Sequence, residues 1–196
     1  MTDRGRKRSV LLAGAALLLV YAASLFQMPR HVFWAPDEGT NYLASRSVRF
    51  GDGLNYSTVY GGETIDPELK FLPVPALYPR PSITSKGETD LRFGMAVGFA
   101  VVSRYMMAGF GISGLYLVPM LSGWLVALLS GRIAWLIDRR LGIPAALLVG
   151  LGTPIFFYSL VFWEHAPATL CGLVVAWLMI ESPLGLGFRL AAGLPC

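Results

Sequence analysis

Residues 9–28 form a run of twenty positions without one charged side chain, and residues 143–163 form another of twenty-one. An α-helix rises ~1.5 Å per residue, so runs of this length match the ~30 Å hydrocarbon layer of a bilayer. A chain with such segments must bury them in a large core or present them to lipid. Hydrophobic residues make up 55% of the 196 positions and charged residues 14%, which leaves too little polar surface to cover a soluble body. The expected fold is therefore all-α: a polytopic transmembrane protein of about four spans plus an interfacial helix, with a long extracytoplasmic first loop.

The basic cluster Arg4, Arg6, Lys7 and Arg8 precedes the first run and assigns residues 1–8 to the cytoplasm and 9–28 to transmembrane helix one. A cleaved leader shares the basic start, the apolar middle and the small residues Ala22, Ala23 and Ser24. Its apolar core is only ~7 to 15 residues, however, so a retained helix is the expectation. Residues 29–111 then read as one extracytoplasmic loop, rich in Gly, Pro, Tyr and Thr and holding most of the acidic residues. Within it, residues 93–107 are apolar, but Arg92 and Arg104 leave only eleven uncharged positions between them. That is too short to cross, and an interfacial helix with snorkelling arginines is expected.

The second span covers residues 112–137, with Arg132 near enough to its end to reach the headgroups, and closes on Asp138, Arg139 and Arg140. The third covers 143–162 and ends at Trp163, Glu164 and His165; the fourth covers 166–182 and leads into a cytoplasmic tail, 183–196. Every basic cluster outside the long loop then faces the cytoplasm, whereas a full span at 93–107 would turn Arg139 and Arg140 outward. The expected location is a plasma (inner) membrane, multi-pass, with a cytoplasmic N-terminus.

The formal charge of +4 does not indicate nucleic acid, because the basic residues are scattered or flank apolar runs. Cys171 lies inside an apolar run and Cys196 is the last residue, so the two form no disulfide framework. The Asn55, Tyr56, Ser57 triplet is too common a pattern to carry a function.

Chemistry concentrates at two places. Asp37 and Glu38 follow the first span by about nine residues, in the order Trp34, Ala35, Pro36, Asp37, Glu38, Gly39, Thr40. One reading is a helix start, with Asp37 as N-cap and Glu38 at the positive end of a helix over 41–48. The other is a catalytic carboxylate, and the two are compatible, because a helix start also holds a side chain rigidly. Glu164 and His165 sit between the interfacial Trp163 and the apolar run that begins at Ala166. They are either a polar turn between helices or a functional pair at membrane depth, where ionisable groups are costly unless paired or used. Together the four could supply a base, a metal site or a site for a polar acceptor.

These residues resemble a family. A basic N-terminus, one span, an outer loop opening with an acidic pair in the context of residues 34–43, an interfacial helix and a hairpin tipped by Phe162, Trp163, Glu164, His165 and Ala166 is similar to the N-terminal part of the GT-C superfamily. These are polytopic glycosyltransferases using polyprenyl-phosphate sugars, such as protein O-mannosyltransferases and aminoarabinose transferases. The resemblance implies inverting sugar transfer at the outer membrane face to a lipid, glycan or protein acceptor, with Asp37 deprotonating the acceptor hydroxyl beside Glu38. It implies cationic groups for the leaving phosphate, for which Lys70, Arg80, Lys86 and His165 are candidates, and it gives Glu164 a role in binding the acceptor or a divalent metal. It also implies that these 196 residues correspond to the N-terminal part of a longer enzyme, since members of the family carry more spans. The competing reading is a non-enzymatic membrane subunit or transporter fragment. Broken helices or midplane charges would favour it, and Pro119 and Pro154 are the only hints of a broken span.

Overall fold

The computed structural model describes residues 3–29, 33, 35–50, 54–55, 57–59, 80–83, 89–92 and 97–181. They are predominantly helical and divide into two compact units, Arg30–Leu115 and the remainder, Met1–Pro29 with Tyr116–Cys196. Among the described residues seven helices are formed: α1 (Asp3–Gln27), α2 (Pro36–Ser47), α3 (Val97–Phe110), α4 (Ile112–Ile137), α5 (Gly142–Gly152), α6 (Pro154–Tyr158) and α7 (His165–Glu181). Two are long and apolar enough to cross a membrane, α1 through Arg8–Gln27 and α4 through Ile112–Ile137. Their outward side chains suit a lipid solvent: on α1 Leu19 is 70% exposed and Phe26 79%, and on α4 Leu121 is 42% exposed.

In the first-listed unit, α2 and α3 pack through small side chains. Ala44, Val48 and Ala100 form the contact, with Val101 at its edge. The Arg104 guanidinium of α3 donates to the Arg46 carbonyl in the last turn of α2 at 3.3 Å. That carbonyl has no partner within its own helix, and a cation there also meets the negative end of the helix dipole. Arg104 therefore caps a helix, a role beyond the snorkelling expected of it. α3 ends at Gly111, whose φ of 63° is open to glycine at little cost, and the Gly111 N–H closes the last turn onto the Met107 carbonyl at 2.9 Å.

The same unit holds short antiparallel strands: β1 (Arg49–Phe50) with β2 (Leu54–Asn55), and a sheet of β3 (Ser57–Val59), β5 (Thr89–Arg92) and β4 (Arg80–Ile83) in that order. Residue patterning in the loop does not forecast them. Pro81 falls on β4, an edge strand, where the missing N–H removes the fewest ladder bonds.

In the second unit α1 contributes Gly14, Leu17, Tyr21 and Leu25, a buried stripe at helical spacing. The Trp124 Nε1–H of α4 donates to the Gly14 carbonyl at 2.9 Å, and the Tyr21 hydroxyl donates to the Gly150 carbonyl of α5 at 2.8 Å. α1 is thus tied to α4 and α5 by side-chain hydrogen bonds. At Gly123 on α4 an added Cβ would overlap the Ser159 hydroxyl and stand 2.8 Å from Ser159 Cβ and 3.4 Å from Tyr21 Cε1, so glycine is what permits this approach.

The stretch expected as the third span is not one helix. α5 has 11 residues, about 16 Å at ~1.5 Å per residue, and gives way at Thr153 to the five-residue α6. Pro154 cannot supply the N–H that would continue α5. Thr153 makes the joint: its hydroxyl donates to the Val149 carbonyl at 2.7 Å and accepts from the Ile155 N–H at 3.3 Å. The end of α5 is closed by Thr153 and Tyr21 together, at the Val149 and Gly150 carbonyls, where lipid could offer neither a donor. Thr153→Val is expected to destabilise the protein by about 1 kcal/mol, read as a lower unfolding midpoint in detergent. By contrast α4 runs unbroken through Pro119.

Candidate functional site

The acidic pair lies inside the first turn of α2. Ala35 is the N-cap in extended conformation (φ −145°, ψ 156°) without a side-chain cap, and Pro36 opens the helix. Asp37 is therefore not the N-cap expected from its residue type. Proline has the φ the first helical position needs and lacks only an N–H that would be unused there, which moves the start two residues earlier. Asp37 and Glu38 then occupy the second and third helical positions, and the Glu38 N–H donates to the Ala35 carbonyl at 3.1 Å. Both carboxylates stand at the end of the helix where its dipole favours negative charge.

Their exposures differ. Asp37 is part-exposed, whereas Glu38 is 0% exposed. Glu38 begins a buried polar stripe continued by Asn41 and Ser45 and ending on Val48, at spacings of three, four and three. Ser45 satisfies its hydroxyl within the helix by donating to the Asn41 carbonyl at 2.7 Å. Asp37 and Glu38 both engage neighbouring groups. Burying a carboxylate is unfavourable unless it is compensated, so a helix that turns such a stripe inward differs from an ordinary surface helix. Sequence reasoning missed this stripe, although the spacing of residues 38, 41, 45 and 48 carries the signal. Next to this stripe, one turn apart on α2, stand Tyr42 and Arg46. Phe33 and Tyr42 have ring centroids 5.4 Å apart, and the Arg46 guanidinium lies 5.8 Å from the Tyr42 ring.

Glu164 and His165 stand at the start of α7, in the other unit. Glu164 is half-buried and its carbonyl accepts the Ala168 N–H at 2.8 Å; His165 is exposed. The imidazole packs in an aromatic cluster, 4.7 Å from the Tyr158 ring and 5.2 Å from the Trp163 ring. Beside it opens a cleft of about 500 Å³ lined by Thr153, Ile155, Tyr158, His165 and Thr169 among others. The buried Trp163 Nε1–H has no hydrogen-bond partner among the described residues, an uncommon condition for an indole donor. The break at Thr153 and the turn after α6 are what form this cleft. A continuous third span would leave no such opening.

Of the cations expected to meet a phosphate, Lys70 and Lys86 lie outside the described residues. Arg80 begins β4, opposite Arg92 of β5 in the backbone register. Glu164 and His165 offer two metal-ligating side chains, and among the described residues no group of three His, Cys, Asp or Glu comes together. Compared with protein-family models, with curated proteins and with solved structures, the chain matches none of them.

Proposed function

We propose that this protein is a membrane glycosyltransferase of GT-C type, multi-pass with a cytoplasmic N-terminus, acting on a polyprenyl-phosphate sugar at the outer face of a plasma membrane. The observation that carries the reading is the first turn of α2: a part-exposed Asp37 beside a fully buried Glu38, on a rigid helix that begins nine residues after α1. Asp37 takes the proton of the acceptor hydroxyl. The acceptor oxygen forms its bond to the anomeric carbon as the bond from that carbon to the phosphate oxygen breaks, and the electron pair leaves on the polyprenyl phosphate. Inversion follows from attack opposite the leaving group. The buried Glu38, Asn41 and Ser45 fix the helix that presents Asp37. By itself, the His165 cleft, with aromatic faces and the indole donor nearby, suits a polar ligand group.

A lipid-linked donor explains why this chemistry would be built on lipid-soluble helices: the prenyl tail stays in the bilayer while the sugar is handled at its surface. A second reading, a transport or binding subunit, draws on the discontinuity at Thr153 and Pro154, since broken helices mark many transport sites. Transfer of labelled sugar from a polyprenyl-phosphate donor, in membranes holding the intact chain, tests the first reading. Labelled acceptor product is the expected result. Donor retained without any product, or no donor bound at all, speaks for the second.

A further inference from the structure

A second cleft, of about 570 Å³, lies where α1 begins, α4 ends and α5 begins. Its walls are almost wholly apolar: Val10, Leu17, Leu128, Trp135 and Leu147 contribute, and Arg132 is the charged residue among the lining side chains. The volume is that of a small-molecule site, and in a chain with membrane-crossing helices its walls match an acyl chain. The basic residues gather at the same end. The guanidinium of Arg132 lies 4.9 Å from the Trp135 ring centroid and that of Arg139 lies 5.4 Å from it, so two arginines are held on one cleft-lining indole. Arg132 is also paired with Glu181 of α7 at 2.7 Å. That carboxylate compensates one cation, and Asp138 accepts the backbone N–H of Arg140 at 2.8 Å. Arg8 and Arg140 lie two residues in sequence from the lining Val10 and Gly142, and they are exposed like Arg139, so the positive charge next to the lining residues exceeds the negative.

We infer that this cleft binds one anionic phospholipid, its acyl chain along Leu17, Leu128 and Leu147 and its phosphate on the guanidinium of Arg139 with support from Arg132. Apolar depth and a basic rim are the two halves of such a ligand, and basic pockets between membrane helices take anionic headgroups for this reason. The proposal does not rest on sugar transfer. The site is made by α1, α4 and α5 and uses none of Asp37, Glu38, Glu164 or His165.

The full chain, purified in detergent, is offered phosphatidylglycerol and phosphatidylcholine of the same acyl length, and retained lipid is counted by native mass spectrometry. One phosphatidylglycerol is expected to be retained, at least fivefold over phosphatidylcholine. Arg139→Gln should weaken it about fivefold, the factor for one headgroup cation. Ala13 also lines the cleft; Ala13→Trp, which fills it without changing charge, should abolish retention while the unfolding midpoint in lipid-free detergent stays within a few degrees. Glycerol phosphate, the headgroup without a chain, should fail to compete. Equal retention of the two lipids, full retention by a folded Ala13→Trp variant, effective competition by glycerol phosphate, or a dimer that retains no lipid would each overturn the proposal.

Discussion

Asp37→Asn is expected to lower the rate of sugar transfer by at least ~100-fold while leaving the unfolding midpoint and the donor affinity nearly unchanged, because a positioned general base contributes ~10²- to 10⁴-fold. The amide keeps the shape of the carboxylate and its place in the first turn of α2 but cannot take a proton. Asp37 is part-exposed, so solvent offsets much of the loss of its charge. Glu38→Gln gives the contrasting result. Glu38 is completely buried, and neutralising it disturbs the polar stripe with Asn41 and Ser45; its expected first effect is a shifted unfolding midpoint. If instead Glu38→Gln abolishes transfer in a protein of unchanged stability, and Asp37→Asn stays within tenfold of wild type, the roles of the two carboxylates are reversed.

The second large effect concerns packing. Gly123→Leu is expected to destabilise the protein by about 3 kcal/mol, the upper part of the range for forcing side-chain volume into a close-packed site. Even a Cβ at Gly123 would overlap the Ser159 hydroxyl and lie 2.8 Å from Ser159 Cβ, and Ser159 is held by its own bond to the Ile155 carbonyl at 2.5 Å. Glycine is otherwise a poor helix residue, so replacing it in a helix interior tends to stabilise by up to ~1 kcal/mol where there is room. Gly172 on α7 is such a position, with nothing within 4 Å of an added Cβ. Gly172→Ala should therefore raise the unfolding midpoint while Gly123→Leu lowers it. Opposite signs from two helical glycines separate close approach from helix propensity, and a stabilising effect at both would mean that α4 does not pack at Gly123 as described.

The two long helices were legible because their cause is written locally. A long apolar run beside a basic cluster needs no tertiary information, and α1 and α4 cover the stretches 9–28 and 112–137 where spans were expected, α1 ending one residue short and starting earlier. The break in the third stretch was not legible. Pro119 and Pro154 look alike in sequence, yet α4 continues through the first while α5 stops before the second. The difference lies at Thr153, whose hydroxyl serves the end of α5 and the start of α6 at once. The first site was legible as an acidic pair at a helix start, but residue preference favoured Asp37 as the cap, and the backbone restriction of Pro36 decided otherwise. The burial of Glu38 was hidden because a carboxylate between Asp37 and Gly39 reads as solvated. Only its spacing from Asn41, Ser45 and Val48 marks it as facing inward. The cleft beside His165 depends on the break at Thr153 and could not be read without it.

Sidedness tests the account most directly, because surface transfer requires the α2 and α7 starts to face the same solution, opposite the turn after α4. Single cysteines at Arg49, His165 and Arg140, introduced with Cys171→Ser and Cys196→Ser, are exposed to a membrane-impermeant maleimide in intact cells and again after permeabilisation. The account predicts labelling at positions 49 and 165 in intact cells and at 140 only once the membrane is opened. Labelling of position 140 from outside, or of 165 only from within, would contradict it, because the helix starts that carry Asp37 and Glu164 would then lie on opposite sides of the membrane.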